Sequence, residues 1–455
     1  MDVTANIAQF TTGLRYENVP SQAIATAKIA MLDCLGVALA GSQDEAAAIC
    51  GQIARQEEAK PEASIIGQGF KTSALHAALV NGTAAHALDY DHSFTLMGQP
   101  TSPIIPAIVS LGESLGVSGR RLLEAYVVGF EVTGKLALSL KGASEDGWHG
   151  PTIVGVFGAA AACAKLLQLS AAQVEMAMGI ASSMAGGVVA NFGTMTKPLH
   201  SGLAARNGVL AAKLAQGGFT ANAKALESDV GFLGMFYARS KADPKVLEDF
   251  GKNLALVTDG IKIKPYACGG LTHVAIDGVI ELRAKHGLTA DMIESIEADV
   301  LKHVAERIVF KVPQTGVQGK FCMNYLLARA IIDGRIGVEV FSEEAVRDAN
   351  ILKLAERVVM RADPSLKTDD PGGRPCRVTI RLKNGQSYTR YAEHAKGSAA
   401  LPLSDAELKA KFTECARIAL SNEGGERALA LIETMEQLED VRSMTEILRG
   451  EAATK

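Results

Sequence analysis

From its start to about residue 260 the chain repeats one pattern, apolar residues three and four apart, closed off by Gly, Ser or Pro. Residues 24–39 carry Ile24, Ala27, Met31, Leu35 and Ala38 at helical spacing, and Ala40-Gly41-Ser42 ends the run. Residues 73–88 repeat it with Leu75, Ala78, Leu79 and Ala85, and 103–115 and 122–140 continue it. Ser170-Ala-Ala-Gln173 is a capping box that opens another helix. The apolar stretch 152–164 is too short to span a bilayer and predicts a buried helix. No repeat period runs through these helices, which argues against a solenoid.

The texture changes near Asp259. Ser295-Ile-Glu-Ala-Asp-Val300 and Val378-Thr-Ile-Arg-Leu382 alternate apolar and polar residues as half-buried strands do, and Asn384-Gly385 predicts a two-residue hairpin turn with positive φ. Residues 363–375 form a loop, and a second capping box, Ser404-Asp-Ala-Glu407, returns the chain to helix until about Leu448. The expected fold is mainly α: an all-helical domain of residues 1–260 plus 400–455, with a smaller α+β domain of residues 261–399 inserted before the C-terminal helices.

Composition narrows the class. With 455 residues, 48% of them hydrophobic, the chain has material for more than one core. A net charge of −4, with no basic excess, excludes nucleic acid and anionic membrane surfaces as expected partners. Seven scattered cysteines with no Cys-x-x-Cys pair fit neither a zinc site nor a disulfide framework, and match a reducing compartment. The opening residues hold Asp2 and no cationic stretch, so the expected location is cytoplasmic.

Five segments set polar residues among Gly and Pro in an otherwise apolar chain. The first, His86-Ala-Leu-Asp89-Tyr90-Asp91-His92, ends a helix; helical spacing lets only one of its two carboxylates point inward, and a solvated helix cap is the plain alternative. A His-x-x-Asp pair without a third cluster makes no metal site, so no metal is expected. The second, Gly147-Trp148-His149-Gly150-Pro151, puts a histidine at a helix N-terminus, where the dipole favours the neutral imidazole a general base needs. The third runs from Gly193 to His200. Lys197 precedes Pro198 and is expected in a turn, where it, His200 and the N–H groups of the following helix would seat an anion. The fourth, Lys262 to His273, holds Lys264, Cys268 and Gly269, and the fifth, Gly319 to Tyr325, holds Lys320.

In this order, together with Met31-Leu-Asp33-Cys34-Leu-Gly36 and the specific block Thr196-Lys197-Pro198-Leu199-His200, the segments resemble the MmgE/PrpD family along nearly the whole chain. That resemblance implies a helical domain with a smaller lid, a homodimer, and cofactor-independent chemistry on small polycarboxylates. Family members include 2-methylcitrate dehydratase, cis-aconitate decarboxylase and iminodisuccinate epimerase. It implies that Asp89, His149, Lys197, Lys264 and Tyr325 line an active site. On this reading Lys197 and Lys264 take the carboxylates, His149 acts as general base or acid, Tyr325 supplies a hydrogen bond or the opposing proton, and Asp89 orients a cation or shares the proton work. Gln99, His200, Cys268, Gly269 and Lys320 complete the substrate-binding set. The chain departs from the decarboxylase-like pattern at Gln99 and Gly269, where histidines are expected. The implied function is a lyase; the alternatives are an epimerase of a small dicarboxylate and a non-catalytic helical interaction protein.

Overall fold

The computed structural model describes residues 2–94, 98–140, 147–236, 243–370 and 372–451. Pro371, inside the expected loop, lies outside them. The chain divides into two compact units, Met1–Lys262 with Ser404–Lys455, and Ile263–Leu403.

In the first unit the apolar periodicity becomes nine helices of eight or more residues before residue 220, among the described residues: α1 Val3–Gly13, α2 Ser21–Gly41, α3 Glu45–Gln56, α4 Ala74–Ala87, α5 Thr101–Leu115, α6 Gly119–Ser139, α7 Gly150–Leu166, α8 Ala171–Ser182 and α9 Thr196–Gln216. Both capping boxes form, Ser170 with Gln173 and Ser404 with Glu407. Each joins two N–H groups left without partners at a helix start to side-chain oxygens, which fixes where the helix begins. Helix α7 is buried along almost its whole length and lies at the centre of the core. Helix α2 is long and apolar enough to cross a membrane by length and composition, yet 72% of its most apolar window is buried in protein, as in a core helix.

Small residues set the closest crossing. A side-chain carbon on Gly202 of α9 would sit 2.3 Å from Leu79 O and Thr83 Oγ1 of α4, and one on Gly82 would sit 2.9 Å from Gly202 Cα. The two backbones touch only because neither glycine has a side chain. This contact holds the end of α4 beside the start of α9, where the polar segments lie.

The second unit carries a four-stranded sheet of β3 Ile293–Val300, β4 Val358–Ala362, β5 Cys376–Leu382 and β6 Ser387–Ala392; a two-stranded ribbon, β1 Ala63–Ser64 with β2 Lys71–Thr72, belongs to the first unit. The order is β4-β3-β5-β6, with β3 parallel to β4 and antiparallel to β5. The hairpin between β5 and β6 differs from the expected two-residue turn. Gly385 N donates to Leu382 O and Leu382 N donates to Gln386 O, enclosing the three residues Lys383, Asn384 and Gly385. Only Gly385 has positive φ (86°), as in a type I turn closed by a glycine bulge.

Within the first unit, a buried polar chain ties the C-terminal helices to the N-terminal ones. From the helix Asp405–Ala416, Lys411 Nζ donates to Asp33 Oδ1 of α2 at 2.6 Å and to Tyr90 O at 2.9 Å. The other Asp33 oxygen accepts from the His92 backbone N–H (3.0 Å) and faces His92 Nδ1 at 2.9 Å. His92 Nε2 faces Thr101 Oγ1, which in turn meets Tyr126 OH at 2.9 Å. Burial alone would raise the Asp33 carboxyl, but the Lys411 ammonium and the His92 ring outweigh it and hold it at about 2. The Met31–Gly36 block therefore serves as an anchor for the loop that follows α4.

Candidate active site

Helix α4 stops at Ala87, and Asp89 takes a left-handed conformation with φ 53°. For a residue with a Cβ that conformation is uncommon and is held by its surroundings. Its consequence corrects the expectation that only one carboxylate turns inward. The rule of helical faces lapses where the helix ends, and both aspartates find site partners. Asp91 receives His86, whose Nδ1 lies 3.1 and 3.0 Å from its two oxygens. Asp89 Oδ1 lies 2.6 Å from Lys197 Nζ and accepts a longer contact of 3.5 Å from Gln99 Nε2.

Lys197 is in helix α9, whose first residue is Thr196, and not in the expected turn. Pro198 falls within the first helical turn, where its missing N–H costs no bond, and this position overrides the usual restriction on the residue before proline. The expected anion seat changes as well. Thr196 N–H donates to Thr194 Oγ1, Lys197 N–H to Thr194 O and Leu199 N–H to Met195 O. The backbone donors at this helix start are spent within the turn, so the cation available there is the Lys197 side chain.

His149 is the N-cap of α7, and its N–H donates to Gly187 O at 2.9 Å. Its ring stacks on His86 (centroids 5.5 Å apart, planes at 29°), meets the edge of Phe192 at 4.9 Å, and places Nδ1 3.2 Å from Nδ1 of His200. Lys197 Nζ lies 5.6 Å from the same Phe192 ring, so imidazole and ammonium flank one aromatic side chain. Burial pushes the His149 imidazole well below its ordinary value, and positive charge on His86, Lys197 or His200 pushes the same way, against Asp89. His200 is lowered too, by burial first and then by His86 and Lys197. The expectation of a neutral His149 holds in direction, with burial as the main cause.

His86 and Asp91 belong to the first candidate segment but were given no site role from sequence. Beside a carboxylate, His86 Nδ1 carries the proton, which leaves Nε2 as an acceptor in the neutral ring. That nitrogen is buried and has no hydrogen-bond partner among the described residues. A buried unpaired acceptor costs about 1–3 kcal/mol. The signal available in sequence was the five-residue spacing from His86 to Asp91 across a helix end.

The remaining candidates lie in the second unit. Gly269 N–H donates to Lys320 O at 2.9 Å, joining the fourth and fifth segments, and Cys268 Sγ lies 3.5 Å from Thr272 Oγ1. Lys264 sits in the irregular stretch before them, and the N–H of its neighbour Ile263 donates to Gly397 O. Tyr325 is fully buried, its hydroxyl donating to Val340 O and accepting from Arg329 Nε at 3.0 Å. Burial raises that hydroxyl above its ordinary value. Its one proton is committed to Val340, so the geometry assigns it to holding this unit together. At Gly269 a Cβ would meet the Phe321 ring at 2.8 Å. Gly269→His is expected to destabilise the protein by about 1–3 kcal/mol through overpacking. Adding Phe321→Ala should return part of that loss, and equal melting temperatures for wild type and Gly269→His would refute the packing argument.

A cavity of about 480 Å³ lies apart from these histidines, lined by Arg15, Arg121, Glu124 and Lys165 among others. Its cations are already engaged: Lys165 pairs with Glu124 at 2.8 Å, and Arg15 and Arg121 bond backbone carbonyls.

Known proteins place the chain in context. A cis-aconitate decarboxylase of Mus musculus is 30% identical across 98% of this chain and 93% of its own length. The Homo sapiens enzyme of the same name is 29% identical (98% and 95%), and one from Aspergillus terreus 26% identical (98% and 96%). Residues 5–245 match the MmgE/PrpD N-terminal domain and residues 266–437 the MmgE/PrpD C-terminal domain. With both family domains matched in order over most of its length, the chain belongs to the MmgE/PrpD family.

Proposed function

We propose that this protein is a cofactor-independent lyase of a small di- or tricarboxylate, working by proton transfer at a carbon beside a carboxylate. The observation that carries the reading is the neutral-held His149 beside the Lys197–Asp89 pair. A proton on such a carbon is weakly acidic. Its transfer needs a base that is free of protons near neutral pH and a cation placed in advance for the charge that develops. His149 meets the first need and Lys197 the second. Asp89, held by Lys197 and Gln99, orients the ammonium until a substrate carboxylate competes for it. This convergence of cation and imidazoles speaks against a purely structural interaction protein, and the decarboxylases among its relatives favour loss of carbon dioxide as the lyase step.

Gln99 favours a second reading. Where the decarboxylase-like pattern expects a histidine, an amide exchanges no proton near neutral pH, and an epimerase of a small dicarboxylate would not need that extra carrier. Melting temperature in the presence of cis-aconitate, citrate, 2-methylcitrate and amino-dicarboxylates tests both. At least one should stabilise the wild type, and Lys197→Met, whose ligand-free melting temperature falls because Asp89 loses its partner, should show no shift relative to its own ligand-free value. NMR of any hit in deuterated water then separates the readings: carbon dioxide or water is released by a lyase, whereas deuterium enters without either in an epimerase. If none of the ligands stabilises the protein, or Lys197→Met responds like wild type, the proposal fails.

A further inference from the structure

We propose that His149 and His200 form a proton relay, with His200 the group that receives the proton His149 takes from substrate. The inference rests on the proton-transfer reading above, but its geometric premise can be tested without substrate. The two Nδ1 atoms are 3.2 Å apart, and a hydrogen bond between two imidazole nitrogens needs one donor and one acceptor. The neutral pair therefore holds one shared proton. The donor ring has a bare Nε2, and the acceptor ring carries its own hydrogen on Nε2. For His149 to act as base through Nε2, it must be the donor and His200 the acceptor.

The transfer then balances in one step. The C–H bond breaks and leaves its electron pair on carbon. His149 Nε2 gains that proton, the His149 Nδ1–H bond breaks, and His200 Nδ1 gains the second proton, becoming imidazolium. In decarboxylation the relay runs in reverse: the C–C bond breaks, carbon dioxide departs and leaves its electron pair on carbon, and that carbon takes the proton from His149 Nε2 while His149 Nδ1 recovers one from the His200 imidazolium. Surrounding groups set the starting state. His86 stacks on His149, with Asp91 behind His86, and Lys197, paired with Asp89, lies across Phe192. Burial and the nearby Lys197 lower both imidazoles, which keeps both rings neutral before the transfer.

Orientation and proton uptake are separable by substitution. His200→Asn keeps an acceptor near the Nδ1 position and so preserves the His149 tautomer, but it cannot take a proton; His200→Ala loses both. On whichever polycarboxylate proves active, His200→Asn is expected to lower kcat about 100-fold with KM within a few-fold. The substrate hydrogen on carbon does not exchange with solvent, so in the abstraction step the wild type should show a solvent deuterium effect from the relayed Nδ1 proton alone, and His200→Asn none. Full kcat in His200→Asn, or the same solvent effect in both proteins, would overturn the relay while leaving the function intact. Nitrogen-15 NMR of histidine-labelled, ligand-free protein provides the independent arm. His149 should be protonated at Nδ1 and His200 at Nε2, each assigned by loss of its signals in the corresponding variant. Two rings in the same tautomer would refute the shared proton whatever the substrate search finds.

Discussion

Lys411→Met is expected to destabilise the protein by about 3–5 kcal/mol, the usual cost of removing one partner from a buried ion pair. The Asp33 carboxylate would remain in the core with only His92 to answer it, while Tyr90 O would lose a charged donor. Methionine matches the length of lysine, so little of the loss would come from a cavity. Acid titration gives a second readout with a definite sign. Asp33 is held at about 2 in the fold against an ordinary 3.8, so its contribution is complete above pH 4 and is lost as pH falls from 4 toward 2. A shift of that size corresponds to roughly 2 kcal/mol. Chemical denaturation across this range should show the slope in the wild type and a smaller one in Lys411→Met. Equal stabilities at pH 7 would remove the ion pair from any account of what holds the loop.

His149→Gln should lower kcat/KM by about 10²–10⁴, the range for loss of one acid–base group. The side chain makes no capping bond to α7, so the fold should persist and the melting temperature should move little. The pH dependence adds a test that a positional defect would not mimic. Because burial and nearby cations lower the His149 imidazole, its neutral form survives as pH falls through 6.5, and the wild-type rate should stay flat past that point. Lys197→Met removes one of those cations, so in its residual activity the acid limb should move to higher pH. An acid limb in the wild type at the ordinary histidine value would show that His149 is not the base.

Much of the helical architecture is legible in sequence because its signals are local. Apolar spacing, Ser caps and terminating glycines located α2, α4, α5 and α6, and the capping boxes at Ser170 and Ser404 were readable residue by residue. Strand β4 was not, since Val358-Val-Met-Arg-Ala362 shows no alternation and only Val358 is buried. Asn384-Gly385 suits two kinds of hairpin loop, and the closing bond from Leu382 decides between them.

The candidate site was legible in its parts and misread in its joints. Asp89, His149, Lys197, His200 and Gln99 do converge within the first unit. Lys197 was expected in a turn because the restriction before proline was weighed without the helix start that overrides it. His86 and Asp91 lay in the first candidate segment without a role, Asp91 because helical geometry was extended past Ala87, where the helix ends. The contact between Asp33 and Lys411, 378 residues apart, has no local signal at all.

That last pairing has a consequence for the order in which the protein is made. The ribosome releases the N-terminal helices first, and chains begin to fold as they emerge. The loop bearing Asp89 and Asp91 is therefore complete long before the residue that fastens Tyr90 and Asp33 exists. A nascent chain stalled before residue 405 would hold the histidines and Lys197 with their loop unfastened. The fastening of that loop would arrive only with the last helices.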